Sequence, residues 1–133
     1  MIQLAGGPVC WNSRKQKSVA LSSTEAEYMA MSDTSQQLVW LKSLFGEIGY
    51  KVKPITLNVD NKGAIFLAKN RKQEHRSKHI DIRYHFMREK VEEKIINVVH
   101  DPTQEQLADI MTKIVTFDTF VKMRKQIGLH IYQ

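Results

Sequence analysis

Three carboxylates stand where a chain of this kind could do metal-dependent chemistry: Glu27, Asp60 and Asp109. Each belongs to a different segment. Acidic groups drawn from separate elements suit hard cations such as Mg²⁺, which take oxygen ligands. In a net-basic chain they make the arrangement that a phosphodiester-cleaving two-metal site needs. The ions hold the attacking and leaving oxygens, while Lys and Arg hold the backbone. Spacing alone leaves open whether the three converge.

A second concentration of reactive side chains runs from His75 to His85, where three of the five histidines accompany Arg76, Lys78 and Arg83. His75 with His79, and Asp81 with His85, have the i, i+4 spacing that can hold a transition metal. A solvated basic helix face is the simpler reading, and with aromatic Tyr84 beside the cations it would serve as a phosphate-contacting surface. Other chemistry finds little support. Cys10 has no local His or Asn signature, there is no G-x-S-x-G elbow, and Gly-rich phosphate loops are absent. His100 is a candidate for proton transfer or product release, or equally a strand-end residue.

The elements that must position these residues follow from periodicity and caps. Gly6-Gly7-Pro8 is a turn signal, and Val9-Cys10-Trp11 reads as a short strand leading into a basic turn, Asn12 to Lys17. The longest helical pattern begins near Ser22-Ser23-Thr24 and runs to Gly49. Ser22 with Glu25, and Thr24 with Glu27, both have capping-box spacing. At about 100° per residue, Leu38, Leu41, Phe45 and Ile48 form one apolar stripe, extended backwards by Ala30, Met31 and Thr34. Glu27 falls on its centre line and Glu25 points the opposite way. A carboxylate there is either partly buried with a cationic partner or a solvated first-turn residue favoured by the helix dipole.

Ile55 to Asp60 alternates strictly, which puts Asp60 at the carboxyl end of a strand. Ligand sites in α/β sheets collect at such ends, although Asp60 could equally cap the short helix expected from Ala64 to about Lys69. Lys78 to about Lys94 reads as a second long helix with Ile80, Tyr84, Met87 and Val91 at helical spacing. Ile95 to Val99 is a strand. Thr103 and Gln106 have capping-box spacing for a third helix, with Asp109 in its second turn. Thr116 to Gly128 is expected to be a C-terminal helix. The order is α/β, helices on a small sheet that is short of strands.

Composition bounds the possibilities. The 133 residues suit a single domain, 1–133, and 42% hydrophobic with 26% charged residues excludes a disordered tail. No apolar run approaches the roughly 20 residues needed to cross a bilayer. A lone cysteine excludes an internal disulfide framework and fits a reducing compartment. The N-terminus lacks the features of a signal peptide, so an intracellular location, cytoplasmic or nuclear, is expected. The net charge of +6 favours a polyanionic partner.

These motifs together resemble the ribonuclease H domain that closes the polyprotein of copia-type LTR retrotransposons. The resemblance rests on Trp11 to Gln16, Val19 to Tyr28, Val59 to Ala64, Lys78 to Phe86 and Gln106 to Lys113, in the family's order. It implies a ribonuclease H-like fold, a mixed sheet flanked by helices, and cleavage of the RNA strand of RNA/DNA hybrids. It also implies a site of four carboxylates for two Mg²⁺ (or Mn²⁺) ions. By motif the family's glutamate falls on Glu27, its central aspartate on Asp60 and its last on Asp109. Asn61, Lys78, His79 and Arg83 would contact nucleic acid, and a reverse transcriptase domain of the same polyprotein is the implied partner.

One departure matters. The family's first aspartate lies on an opening strand upstream of the Gly-Gly-Pro turn, and here no acidic residue precedes Gly6. The expectation is a fold lacking its first strand and most of its second. The two-metal clamp then loses a central ligand, and exposed sheet edges favour self-association. Asp33, Asp81 or Asp101 are possible substitutes that no motif places at the site. The reading is thus a retrotransposon ribonuclease H domain that is inactive as a bare chain. Its alternative is a non-catalytic nucleic-acid-binding or protein-interaction remnant.

Overall fold

The computed structural model describes residues 1–16, 18–70, 78–102 and 105–130, with the side chains of 78–81 outside the description. In chain order the elements are β1 (Ile2–Leu4), β2 (Gly7–Cys10), α1 (Ser23–Glu47), β3 (Ile55–Val59), α2 (Lys62–Lys69), α3 (Lys78–Glu92), β4 (Ile96–His100), a 3-10 helix (Leu107–Met111) and α4 (Phe117–Gln126). The architecture is mixed α/β. It forms two compact bodies, a larger one from Ser18–Thr103 and a smaller one from Met1–Lys17 with Gln104–Gln133.

The larger body is built on a parallel pair of strands. β3 and β4 run in register from Ile55 opposite Ile96 to Val59 opposite His100. Alternation turns Val59, Ile96 and Val98 inward, where they bury with Ala64 and Leu67 of α2 and Tyr84 and Met87 of α3. The Ile55 amide donates to Ile95 and the Asp101 amide to Val59, at 3.0 and 2.9 Å. By the parallel pattern, the amides and carbonyls of Thr56 and Asn58 therefore point away from β4. Among the described residues β4 is the only strand bonded to β3. The expected shortage of strands is visible here: each of the two sheets has two.

Helix α1 starts and stops where its caps dictate. The Ser22 hydroxyl accepts the Glu25 amide at 3.1 Å, and the Glu25 carboxylate reaches back to the Leu21 amide at 2.7 Å. At the other end Gly49 turns at φ +82°. The Tyr50 amide bonds the Phe45 carbonyl at 2.8 Å, and the two rings meet edge-on at 6.3 Å. This is the Schellman arrangement with its apolar contact.

The face that α1 buries differs from the stripe its apolar residues outline. Tyr28, Met31, Ser32, Ser35 and Leu38 are buried, whereas Ile48 is exposed and Leu41 and Phe45 are only half-covered. The buried face is turned by about 110° from the expected one at helical spacing. Two small serines on the core side hide it from a hydrophobicity pattern, and exposed Ile48 with half-covered Leu41 and Phe45 supplies a false one.

In the smaller body β1 and β2 form an antiparallel hairpin across Ala5-Gly6. Both turn residues have positive φ, +50° and +82°. A two-residue loop needs that conformation to match strand twist. Strand β2 thus begins at Gly7, earlier than the expected Val9-Cys10-Trp11. Ile2, Met123 and Ile127 are the buried apolar residues described in this body. The expected third helix is a single 3-10 turn, for which Gln106 provides no side-chain cap; Thr103 lies outside the described residues. Helix α4 starts after Thr116, whose hydroxyl accepts the Thr119 amide at 3.4 Å. Phe117 and Phe120 are exposed on it. Among the described residues no helix is long and apolar enough to cross a membrane.

Candidate functional site

Residues next to two of the expected carboxylates cap the helices there. At the start of α1 the cap is Ser22, whose hydroxyl accepts the Glu25 amide. Glu25, which points away from the expected stripe, is nonetheless buried, because its carboxylate folds over the helix start to reach Leu21. At the start of α2 the cap is Asn61, whose side-chain oxygen accepts the Ala64 amide at 3.0 Å. Asp60 sits one residue earlier, half-buried at the carboxyl end of β3.

The same two helix starts meet. The Thr24 hydroxyl lies 3.4 Å from the Asn61 side-chain oxygen. A Cβ on Gly63 would lie 3.0 Å from that hydroxyl, so the absence of a side chain there permits the approach. Thr24 leads Glu27 by one helical turn and Asn61 follows Asp60. The contact therefore brings the Glu27 turn and the Asp60 strand end to one corner of the larger body.

Parallel register adds a residue that no motif had placed. Val59 stands opposite His100, so Asp60 and Asp101 are each the first residue past the end of a strand. Asp101 is half-buried and its amide continues the ladder. The signal in the sequence was present only as two strands of equal length, each followed by an acid. Asp33, another candidate substitute, is engaged elsewhere: its carboxylate takes the Arg83 guanidinium at 2.9 Å.

The other expected site residues have mixed fates. Asp109, in the smaller body, lies in the first turn of the 3-10 helix and pairs with Lys113 at 2.9 Å. Arg83 bonds Asp33 and the Met29 carbonyl, which ties α3 to α1. Asn61 spends its oxygen on the α2 cap. The side chains of Lys78, His79 and Asp81, and with them the His75/His79 and Asp81/His85 pairs, fall outside the described residues. His100 is exposed at the strand end. Among the described residues no three His, Cys, Asp or Glu side chains gather as a metal-binding group.

Comparison with known proteins supplies context for this corner. The chain is 39% identical over 130 residues to the retrovirus-related Pol polyprotein from transposon TNT 1-94 of Nicotiana tabacum. It is 40% identical over 130 residues to each of the corresponding polyproteins from transposons RE1 and RE2 of Arabidopsis thaliana. The chain is homologous to a segment of retrotransposon Pol polyproteins. These matches cover 98% and 97% of this chain, but it spans only about a tenth of the length of the relatives. No protein-family model and no solved structure matches it significantly.

For this Pol-related segment, the division of labour between caps and site is measurable. Ser22→Ala should lower the stability of the larger body by about 1 kcal/mol, the usual worth of a helix cap. Glu25→Ala should act in the same direction, since its carboxylate satisfies the Leu21 amide. Glu27→Gln should cost less than either. Urea unfolding of the three variants checks the order; a Glu27 variant as destabilised as Ser22→Ala would show that Glu27 holds the helix start after all.

Proposed function

We propose that this chain is a ribonuclease H-type unit of a retrotransposon polyprotein, one that engages RNA/DNA hybrids. The observation that carries the reading is the meeting of the Thr24 and Asn61 turns, which sets Glu27 and Asp60 at one corner while Glu25 and Asn61 perform the capping. The oxygen donors Glu27 and Asp60 suit a hard cation such as Mg²⁺ or Mn²⁺. Two such ions, when bound, supply charge neutralisation at the phosphate and an activated water. The fit is partial. Asp109 is held by Lys113, and no acidic group of three is assembled among the described residues.

In this reading the bare chain recognises the hybrid and does not cut it at an appreciable rate. Its partners are the hybrid and the reverse transcriptase domain of the parent polyprotein. A labelled RNA/DNA hybrid incubated in Mg²⁺, then Mn²⁺, should be retained intact by both the parent chain and Asp60→Asn. Cleavage by the parent that disappears in Asp60→Asn would overturn the incomplete site and make this an active nuclease. Equal affinity for the hybrid and for plain DNA duplex would remove the ribonuclease H reading itself.

A further inference from the structure

We propose that the smaller body carries a nucleic-acid-strand contact of its own, formed by Trp11 with Lys15 and by Lys122 and Lys125 of α4. The charge of the chain is unevenly divided. Met1–Lys17 with Gln104–Gln133 hold seven Lys and Arg against three Asp and Glu, a net +4 of the total +6, although this is the smaller body. No acidic residue occurs before Glu25. The body is therefore a concentrated source of positive potential, the property that draws a phosphate backbone at long range.

Its geometry adds an aromatic platform. Trp11 is 60% exposed immediately after β2, and Asn12, Ser13 and Lys15 are exposed behind it. The C-terminal end of α4 lies along the same hairpin: the Gln3 amide donates to the Gln126 carbonyl at 3.3 Å, and Gly128 packs against Gly6. Exposed Lys122 and Lys125 thus belong to the block that carries Trp11. An indole open to stacking beside cations that can follow a backbone is how sequence-tolerant strand binding is built. A protein partner fits less well, because Lys is depleted at the centres of protein interfaces. The contact requires neither Asp60 nor a metal, so it does not rest on the ribonuclease H reading.

The test uses a chain carrying Trp40→Phe, which leaves Trp11 as its only tryptophan, titrated with single-stranded oligo(dT) of 16 nucleotides in EDTA. Trp11 fluorescence should be quenched to saturation. With affinity read by the anisotropy of fluorescein-labelled oligo(dT), Trp11→Ala should weaken binding by at least about fivefold, the lower end for one stacked base, while Trp11→Phe restores most of it. Replacing both lysines, Lys122→Gln with Lys125→Gln, should reduce the slope of log affinity against log salt by about 1.4, two phosphates on a single strand. Circular dichroism of each variant reports whether the fold is retained. Binding without quenching, or with affinity and salt slope unchanged in these variants, would overturn the proposal, as would absence of binding. Preference for phosphatidylserine vesicles over oligo(dT) would overturn it too. Lost hybrid preference with these effects intact would count only against the ribonuclease H reading.

Discussion

Tyr28→Ala should destabilise the larger body by about 3–5 kcal/mol, the range for removing a buried aromatic side chain. Tyr28 is 1% exposed on the core side of α1, and its ring stacks on that of Tyr84 in α3 with centroids 3.9 Å apart and planes 20° from parallel. Its hydroxyl donates to the Tyr84 carbonyl at 3.4 Å. Around this pair α3 is fastened to both of its neighbours. The Arg88 guanidinium lies 5.7 Å from the centre of the Tyr84 ring while its Nε donates to the Leu67 carbonyl of α2 at 3.1 Å. Arg83 holds α1 through Asp33. Removing the Tyr28 ring opens a cavity that stiff, close-packed neighbours cannot fill. Tyr28→Phe keeps the stack and loses one long hydrogen bond, so it should cost about 1 kcal/mol or less. Urea unfolding followed by Trp40 fluorescence in a Trp11→Phe background reads the larger body. A Tyr28→Ala loss below about 1 kcal/mol would show that the stack is not what joins the two helices.

That pair also shows where the fold could be read in the sequence and where it could not. The long helix, the alternating strand Ile55–Val59 and the second helix with Tyr84 and Met87 on one side were all legible, because each has a clear period and the long helix also has its caps. The buried face of α1 was not. A stripe is found by counting apolar letters, and in this helix the tightest packing falls on Tyr28, Ser32 and Ser35, two of which are polar letters. Small side chains allow close approach, and their buried hydroxyls find no hydrogen-bond partner among the described residues. Of the stripe that the apolar letters outline, Ile48 is exposed and Leu41 and Phe45 are half-covered. Hydrophobicity therefore pointed to the wrong side, and with it Glu27 was placed on the centre of the core face when it lies on its flank.

The candidate site was legible as residues rather than as geometry. Motif placed Glu27 and Asp60, but both had an equally good structural role in view, as members of a capping box and as a helix cap. The structure gives caps to Ser22 and to Asn61, a choice the sequence leaves open because adjacent residues of similar chemistry compete for the same orphan amides. Asp101 was less visible still. That it and Asp60 each directly follow paired strand ends depends on the register of two parallel strands more than thirty residues apart, which no local pattern encodes. The hairpin of the smaller body was missed for a related reason. Its strands are three and four residues long, too short for alternation to register, and Ala5 adopts φ +50° without being a glycine.

The same hairpin makes Gly128 the position where a single methyl group should do the most damage to the smaller body. Gly128 follows α4 at φ +80°, with its amide on the Lys125 carbonyl and the Leu129 amide on the Arg124 carbonyl, both at 3.0 Å. This closes the helix in the left-handed conformation that favours glycine. A Cβ there would also collide with the Gly6 carbonyl oxygen and lie 3.1 Å from its carbon and 3.4 Å from the Gly7 Cα. These are backbone atoms of a two-residue turn, so no side-chain rotation relieves the clash. Left-handed strain costs about 1–2 kcal/mol and overpacking about 1–3 kcal/mol more. Gly128→Ala should therefore lower the stability of the smaller body by about 2–5 kcal/mol. Gly49→Ala provides the comparison: it has φ +82° with nothing within 4 Å of a Cβ, so it should show the strain alone. With Trp40→Phe as background, Trp11 fluorescence should report early unfolding in Gly128→Ala, while Trp40 in the Trp11→Phe background reports the larger body little changed. Equal losses from Gly128→Ala and Gly49→Ala would mean that the hairpin yields to the helix end, and that the contact between Gly6 and Gly128 is not a rigid one.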